Sequence, residues 1–217
     1  MGCCFRKGNL DRDSEVECNS TTMNAAVTCK AGVHGEEVQV ATLSGADGKT
    51  SFAVAGNGTA LGSCSLDCDV GLWEVKIGKA PEGVQVGIKR YNAKKNSPLD
   101  GILCEDGSSS SSNSTGGSAE SPSWCFPTAA QGGKDLAEGD VVSVYWDQTD
   151  LPMLSYCVNG VPFPGASVSR IRPSLDVYPA ISLRGGSSAE FIFDGECFKY
   201  PPKGSKFQMI ICSTSLI

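Results

Sequence analysis

The first four residues of this chain, MGCC, carry its clearest chemical signal. Removal of Met1 exposes the amine of Gly2, the substrate of N-myristoylation, and Cys3 and Cys4 then stand where palmitoyl thioesters form. The usual pattern has Ser or Thr at the position that Arg6 occupies here. One myristoyl chain gives only reversible membrane binding, so a second acyl chain is needed for stable residence. The sequence therefore predicts lipidation at Gly2, Cys3 and Cys4.

Side chains for acid–base or metal chemistry are sparse. His34 is the only histidine, so a Ser-His-Asp or Cys-His arrangement has one candidate base, close to the N-terminal segment. Cys64 and Cys68 are separated by three residues, but no second pair at similar spacing completes the four ligands of a zinc site. We expect no metal and no cofactor.

The 11 cysteines are expected to be thiols. Their number is odd, which argues against a full disulfide framework, and the chain carries no recognisable secretory signal. Cys125, Cys157 and Cys197 lie in apolar strand-like surroundings, so we interpret them as small hydrophobic residues of the core.

Paired carboxylates would be needed for glycoside hydrolysis. The candidates are Asp147, Asp150, Glu190 and Asp194. The first two flank a turn, where aspartate is favoured because its side chain bonds the local backbone. With no nucleophile elbow or phosphate-binding loop elsewhere, we expect that the protein is not an enzyme.

Charge and hydropathy limit the partners and the compartment. The net charge is −6, and no basic stripe exists beyond Lys89-Arg90 and Lys94-Lys95, so nucleic acid is not an expected partner. The first 30 residues lack the apolar stretch of a secretory signal, and no run is long enough to span a membrane. We expect a monomer on the cytosolic side of a membrane, or otherwise in the cytoplasm.

The elements that must position these residues are strands. Val142, Val144 and Trp146 alternate with Val141, Ser143 and Tyr145, the period of a strand with one buried face. After a turn, the run MLSYCV ends at Asn159-Gly160, a dipeptide that favours a tight turn between paired strands. The 26 glycines and the absence of helical periodicity predict an all-β, antiparallel fold.

Other strand-like runs are spread over the chain on both sides of a Ser/Gly-rich stretch. They are EVQVATL from Glu36, SFAVA, the run centred on Trp73–Ile77, VQVGIKRY, YPAISL and AEFIF. The stretch from Cys104 to Ser123 cannot bury enough apolar surface to offset its ordering entropy. We interpret it as a loop inserted between two strands of one domain, with a linker between two domains as the alternative.

Several motifs resemble the SPRY domain family in their order and spacing. They are Gly71-Leu72-Trp73-Glu74-Val75, Val86-Gly87-Ile88, Pro122-Ser123-Trp124, Gly139-Asp140-Val141-Val142, Trp146-Asp147, Leu154-Ser155-Tyr156, Asn159-Gly160, Tyr178-Pro179-Ala180-Ile181-Ser182 and Phe191-Ile192-Phe193. The resemblance covers roughly residues 35 to 200 and implies a bent β-sandwich of two antiparallel sheets. Trp73 and Trp146 are expected in its core.

The resemblance also implies that loops at one end of the sandwich bind short peptides or folded partners. The candidate residues are Arg90 and Tyr91 in one loop and Arg184 in another, because Arg and Tyr often anchor interfaces. Trp124 belongs either to the core or to the rim of this surface. Gly185 stands near a position where well-studied peptide-binding members have an aromatic residue, so their ligand motifs do not transfer.

We therefore expect a tail over residues 1–33, a SPRY-like domain over 34–200 with a Ser-rich loop at 105–121, and a C-terminal extension over 201–217. The expected function is that of a non-enzymatic adaptor that recruits a protein to a membrane through its lipid anchor. The alternative is a lectin-like sandwich that binds or hydrolyses carbohydrate. That alternative requires exposed aromatic side chains near carboxylates, and an export signal.

Overall fold

The computed structural model describes residues 27–45, 48–92, 99–101, 103, 123–127, 136–171, 176–202 and 210–212. The predicted lipidation residues Gly2, Cys3 and Cys4 and the Ser-rich loop at 105–121 lie outside these ranges. Within them the regular structure is β-strand, with two three-residue 3₁₀ helices at Pro164–Ala166 and Gly195–Cys197. None of the helices in these ranges has the length and apolarity needed to cross a bilayer. The all-β, antiparallel prediction is confirmed.

The strands run through the whole described part of the chain. They are β1 (Val27–Thr28), β2 (Ala31–His34), β3 (Val38–Ser44), β4 (Thr50–Gly62), β5 (Val70–Ile77), β6 (Val84–Arg90), β7 (Ser123–Phe126), β8 (Val141–Asp147), β9 (Met153–Val158), β10 (Val161–Pro162), β11 (Val168–Ser169), β12 (Val177–Ile192) and β13 (Ile211–Cys212). Every pairing between them is antiparallel.

Two long strands bend and thereby belong to both layers of the sandwich. The first half of β12 pairs with the second half of β4 and with β6, whereas its second half pairs with the first half of β4 and with β5. The register shifts between Leu183 and Ser187, where Gly185 and Gly186 have φ of 59° and 72°. Glycine adopts this left-handed conformation without steric cost. The sequence suggested two strands here; they are one strand with a bulge.

The first layer contains β3, β5, β8 and β9, and the second contains β2, β6 and β7. Alternating side chains from both layers meet in one core that includes Trp73, Val86, Trp146 and Phe191, all with no exposed surface. The expected core positions of Trp73 and Trp146 are thus confirmed. The Asn159-Gly160 turn joins β9 to β10, with both residues at positive φ (53° and 76°).

Both chain boundaries differ from the expected ones. β1 and β2 lie within residues 27–34, inside the expected tail, and β2 pairs with β4. The sandwich therefore begins before residue 34. Within the expected C-terminal extension, Ile211 and Cys212 of β13 pair with Thr28 and Val27 of β1. The short, mixed sequence of these strands lacks the alternation that marks the central ones.

The cysteine expectation was wrong at two positions. Cys64 and Cys125 take part in disulfide bonds. Cys125 is buried as expected, while Cys157 and Cys197 are half-buried thiols. Counting cysteines could not reveal this, because pairing depends on which of them the fold brings together.

Candidate partner-binding surface

Three of the four residues suggested by sequence meet at one end of the second layer. Arg90 ends β6, Tyr91 follows it, and Trp124 lies on the neighbouring β7. The Arg90 guanidinium carbon lies 5.8 Å from the centre of the Trp124 ring, and its Nε is 3.9 Å from Oδ1 of Asp176. All three predicted residues are half-buried. Trp124 therefore lies on the rim, where it packs against the core and supports Arg90.

Tyr91 is held as firmly as Arg90. Its backbone amide donates to the carbonyl oxygen of Asp176 at 2.8 Å. Its ring meets that of Tyr178 edge-on, with centroids 6.4 Å apart. The side chains at this end thus contact one another, and the positive charge of Arg90 lies beside the carboxylate of Asp176.

Arg184, the fourth suggested residue, is at the opposite end of the same strands. Arg90 pairs with Val177, whereas Val84, at the other end of β6, pairs with Leu183. Six residues of strand at about 3.3 Å each separate the two ends by about 20 Å. The four predicted residues therefore do not form one site.

A surface pocket of about 150 Å³ lies at the Arg184 end. We refer to it as the Arg184 pocket; its lining residues are Glu82, Gly83, Val84, Gln85, Pro127, Ser182 and Arg184. They come from the β5–β6 turn, β6, the end of β7 and the β12 bulge. This volume is below the range of about 300–1,000 Å³ that is usual for small-molecule sites, and it suits a single side chain of a protein ligand.

The bulge that carries Arg184 is fixed by its surroundings. Arg184 N donates to the Gly83 carbonyl at 3.2 Å, and Gly186 N donates to Oδ1 of Asn57 at 3.1 Å. A Cβ on Gly185 would lie 2.5 Å from Cγ of Glu82, so the Glu82 side chain lies directly over this glycine. A larger residue here would have to adopt the left-handed φ of 59°, which is strained for most side chains, and would displace the Glu82 side chain. The pocket geometry thus depends on glycine at this position.

The chemistry of the pocket is polar. Arg184 and Glu82 are exposed and of opposite charge, and Gln85 is half-buried between them and the sheet. Ser182 is buried; its Oγ donates to Oε1 of Gln85 at 3.2 Å and accepts from the backbone amide of Leu103, also at 3.2 Å. A cation, a carboxylate and an amide around a small cavity can bind a polar peptide side chain and its backbone.

Sequence reasoning found Arg184 but missed Glu82, Gln85, Pro127 and Ser182. These residues come from segments up to about a hundred positions apart, and they meet only because β6 pairs with both β7 and β12. Pro81-Glu82-Gly83 has the composition of a turn, but no local pattern indicates which turn lies beside the β12 bulge.

The described cysteines and carboxylates include three thiols of low reactivity and no cluster of metal ligands. Burial raises the pKa of the Cys29, Cys68 and Cys157 thiols, so at neutral pH they are protonated and poorly nucleophilic. Asp147 accepts from the backbone amide and hydroxyl of Thr149, the turn bonding expected from the sequence. In the part of the chain that the structure describes, no three His, Cys, Asp or Glu side chains are grouped as metal ligands would be.

The carbohydrate-binding alternative requires exposed aromatic side chains, and the described ranges contain none. The large hydrophobic side chains that are exposed there are all aliphatic: Val33, Leu43, Leu151 and Val161. Sugar rings stack on exposed aromatic faces, and every Tyr, Phe and Trp in those ranges is buried or half-buried.

A protein-family model and several solved structures match this chain. The model of the SPRY domain family matches residues 70–196. Among solved structures, the chain is similar to the SPRY domain of human HERC1, with 16% identity, a TM-score of 0.42, and coverage of 74% of this chain and 97% of that one. It is also similar to the Drosophila melanogaster neuralized-NHR1 domain, with 12% identity, a TM-score of 0.49, and coverage of 77% and 98%. No curated protein matches the chain.

Proposed function

Because this chain belongs to the SPRY domain family, a family of protein-interaction modules, we propose that it binds a protein partner through the Arg184 pocket. The observation that carries this proposal is the pocket itself. Its charged and amide side chains line a small cavity, and the β12 bulge and two neighbouring strands fix the backbone that carries them. Little backbone entropy is then lost on binding.

The Arg184 pocket is preferred over the Arg90 end for two reasons. First, Arg184 is exposed, whereas Arg90 is half-buried between Trp124 and Asp176. A partner at the Arg90 end would have to displace these contacts before it gained its own. Second, the Arg184 end is concave, and fully desolvated pockets are where interface hot spots concentrate.

Replacement of Arg184 by alanine should weaken partner binding by at least about tenfold, the effect of removing one hot-spot side chain. Gln85→Ala is expected to act in the same direction because the Gln85 amide also lines the pocket. Proteins recovered with the tagged full chain from cells, quantified by mass spectrometry, give the measurement. Arg90→Ala is the matched control and should keep the same partners. Partners that resist Arg184→Ala and disappear with Arg90→Ala would move the site to the other end of the strands.

We further propose that the module is tethered to the cytosolic face of a membrane by myristate on Gly2 and palmitate on Cys3 or Cys4. The support is the MGCC sequence itself. A tether raises the local concentration of a binder and can increase apparent affinity by orders of magnitude without new contacts. Disulfide bonds at Cys64 and Cys125 are unusual for a cytosolic protein and weigh against this compartment.

Substitution of Gly2 by alanine should shift the protein from the membrane to the soluble fraction, because it removes the amine that is acylated. The double change Cys3→Ser with Cys4→Ser should give weaker, reversible association through the remaining chain. Fractionation and metabolic labelling with alkyne fatty acids measure both steps, and alkylation of Cys64 and Cys125 in the same cells reports their redox state. Equal solubility of the wild type and both variants would refute the lipid tether. The Arg184 pocket is tested separately, by the partner-recovery experiment.

A further inference from the structure

β3 is an open edge of the sandwich. Among the described strands it pairs with β4 alone, in a register that places Val38 opposite Gly56 and Ser44 opposite Thr50. The other strands at sheet edges, β2, β7, β10 and β11, have two to four residues each, whereas β3 has seven. Natural sheets usually shorten or obstruct their edges because an open one pairs with another strand. β3 is therefore the edge with the most pairing capacity among the described strands.

The hydrogen bonds at the two ends of β3 show which backbone groups point outward. Asn57 N donates to Glu37 O, and Gly45 N donates to Lys49 O, so the odd-numbered residues of this register face β4. In an antiparallel pair, the alternate residues direct their N–H and C=O groups to the other side. These outward residues are Val40, Thr42 and Ser44. Within the described ranges, their outward groups meet no hydrogen-bonding partner.

The usual protections of an edge are absent from β3. Its sequence, VQVATLS, contains no charge, no proline and no glycine. Thr42 and Ser44 are exposed, and Leu43 leaves 44% of its surface in solvent. On the opposite side of the sheet, by contrast, β9 is covered by two-residue strands, one of which contains Pro162. No described segment covers the edge at β3.

We propose that β3 pairs antiparallel with β3 of a second copy, across a two-fold axis at Thr42. In this register Thr42 faces Thr42 of the other copy, and Val40 faces Ser44 in both directions. Each facing pair exchanges two backbone hydrogen bonds, so all the outward groups of the three residues are satisfied. Leu43 then packs beside Ala41 of the other copy on the outer face of the sheet.

Charge favours a second copy as the occupant. The chain as a whole carries −6, so most of its surface repels another copy, but β3 has no charge to place against itself. A two-fold, antiparallel arrangement therefore places one uncharged seven-residue strand against another, with no like charges at facing positions within β3. Self-complementarity of this kind is what an isologous interface requires.

This inference does not depend on the partner-binding proposal, and it replaces the monomer expected from the sequence with a concentration-dependent dimer. The test uses the unacylated full chain with its disulfide bonds intact, measured by analytical ultracentrifugation from micromolar to millimolar concentration. We expect the wild type to dimerise. Thr42→Lys should abolish the dimer, because it sets two like charges on the axis while leaving the bonds to β4 intact. Val161→Lys adds the same charge to an exposed position of β10 and should leave the dimer unchanged.

A cysteine at the axis tests the register. Thr42→Cys should cross-link two copies on mild oxidation, because facing Cα atoms in a hydrogen-bonded pair lie about 5.5 Å apart, within disulfide range. Ser44→Cys faces Val40 and should not cross-link above the wild-type background. The proposal is overturned if the wild type stays monomeric over the whole range, or if its dimer persists in Thr42→Lys. Equal cross-linking of the two cysteine variants would exclude this register.

Discussion

Replacement of Glu74 by alanine should lower the free energy of unfolding by about 3 kcal/mol, because it leaves buried donors without an acceptor. Glu74 has no exposed surface. Its carboxylate accepts from Ser143 Oγ at 3.0 Å, from Lys199 N at 2.6 Å and from Tyr200 N at 2.9 Å. The two backbone donors lie well over a hundred residues away, so this one side chain attaches the segment after β12 to the first layer.

The role of Glu74 differs from that of an ordinary surface acid. Glu74→Gln keeps one accepting oxygen but turns an NH₂ group toward the remaining donors, so we expect a loss between that of alanine and zero. Glu190→Gln is the matched control on the same sheet face. Glu190 is partly exposed and lies 3.9 Å from Lys76, an ion pair worth about 1 kcal/mol or less.

Urea unfolding and amide exchange together decide this prediction. The first gives the change in stability, and the second should show faster exchange at Lys199 and Tyr200 in the Glu74 variants only. If the amides of Lys199 and Tyr200 keep their protection against exchange in Glu74→Ala, the Glu74 carboxylate does not hold the segment after β12 in place. A loss in Glu190→Gln equal to that in Glu74→Ala would also contradict the assignment.

Alanine at Gly87 should cost about 3 kcal/mol or more and separate β7 from β6. A Cβ at this position would lie 2.0 Å from the carbonyl oxygen of Trp124 and 2.7 Å from Cα of Cys125. Both are backbone atoms of the paired strand, so no side-chain rotation relieves the clash. The strand that would move carries Phe126, which is fully buried. This contact gives the physical reason for the glycine in the Val86-Gly87-Ile88 motif.

Gly101→Ala is the control for this substitution. A Cβ there meets nothing within 4 Å, and its φ lies outside the left-handed region, so the change should be neutral or slightly stabilising. Thermal unfolding of both variants provides the comparison, and near-ultraviolet circular dichroism reports on Trp124. An unchanged melting temperature for Gly87→Ala would mean that β6 and β7 do not approach as closely as described.

Part of the fold could be predicted because it depends on neighbours in the chain. Alternation at Val142, Val144 and Trp146 predicted a strand, and β8 is one; its first four residues are buried on both faces, and only its second half alternates. Asn159-Gly160 is a turn because these two residues tolerate positive φ. The order of such segments was enough to identify the family and hence the antiparallel sandwich.

Other features could not be predicted because they depend on distant residues. Arg90 and Arg184 were grouped as loop residues near strand ends, but the antiparallel register of β6 and β12 puts them at opposite ends. Glu74 was seen only as part of a strand motif, since nothing near it in sequence identifies Lys199 or Tyr200 as its donors. The disulfide at Cys125 was missed for the same reason.

The amino-acid sequence by itself determined the strands, the tight turn and the family, because side-chain alternation and backbone preference act between adjacent residues. Only the tertiary structure decided where the Arg184 pocket forms, which edge of the sheet stays open at β3, and which backbone amides the Glu74 carboxylate accepts from. Each of these depends on strand register, and register is set by the packing of the whole core rather than by any single segment.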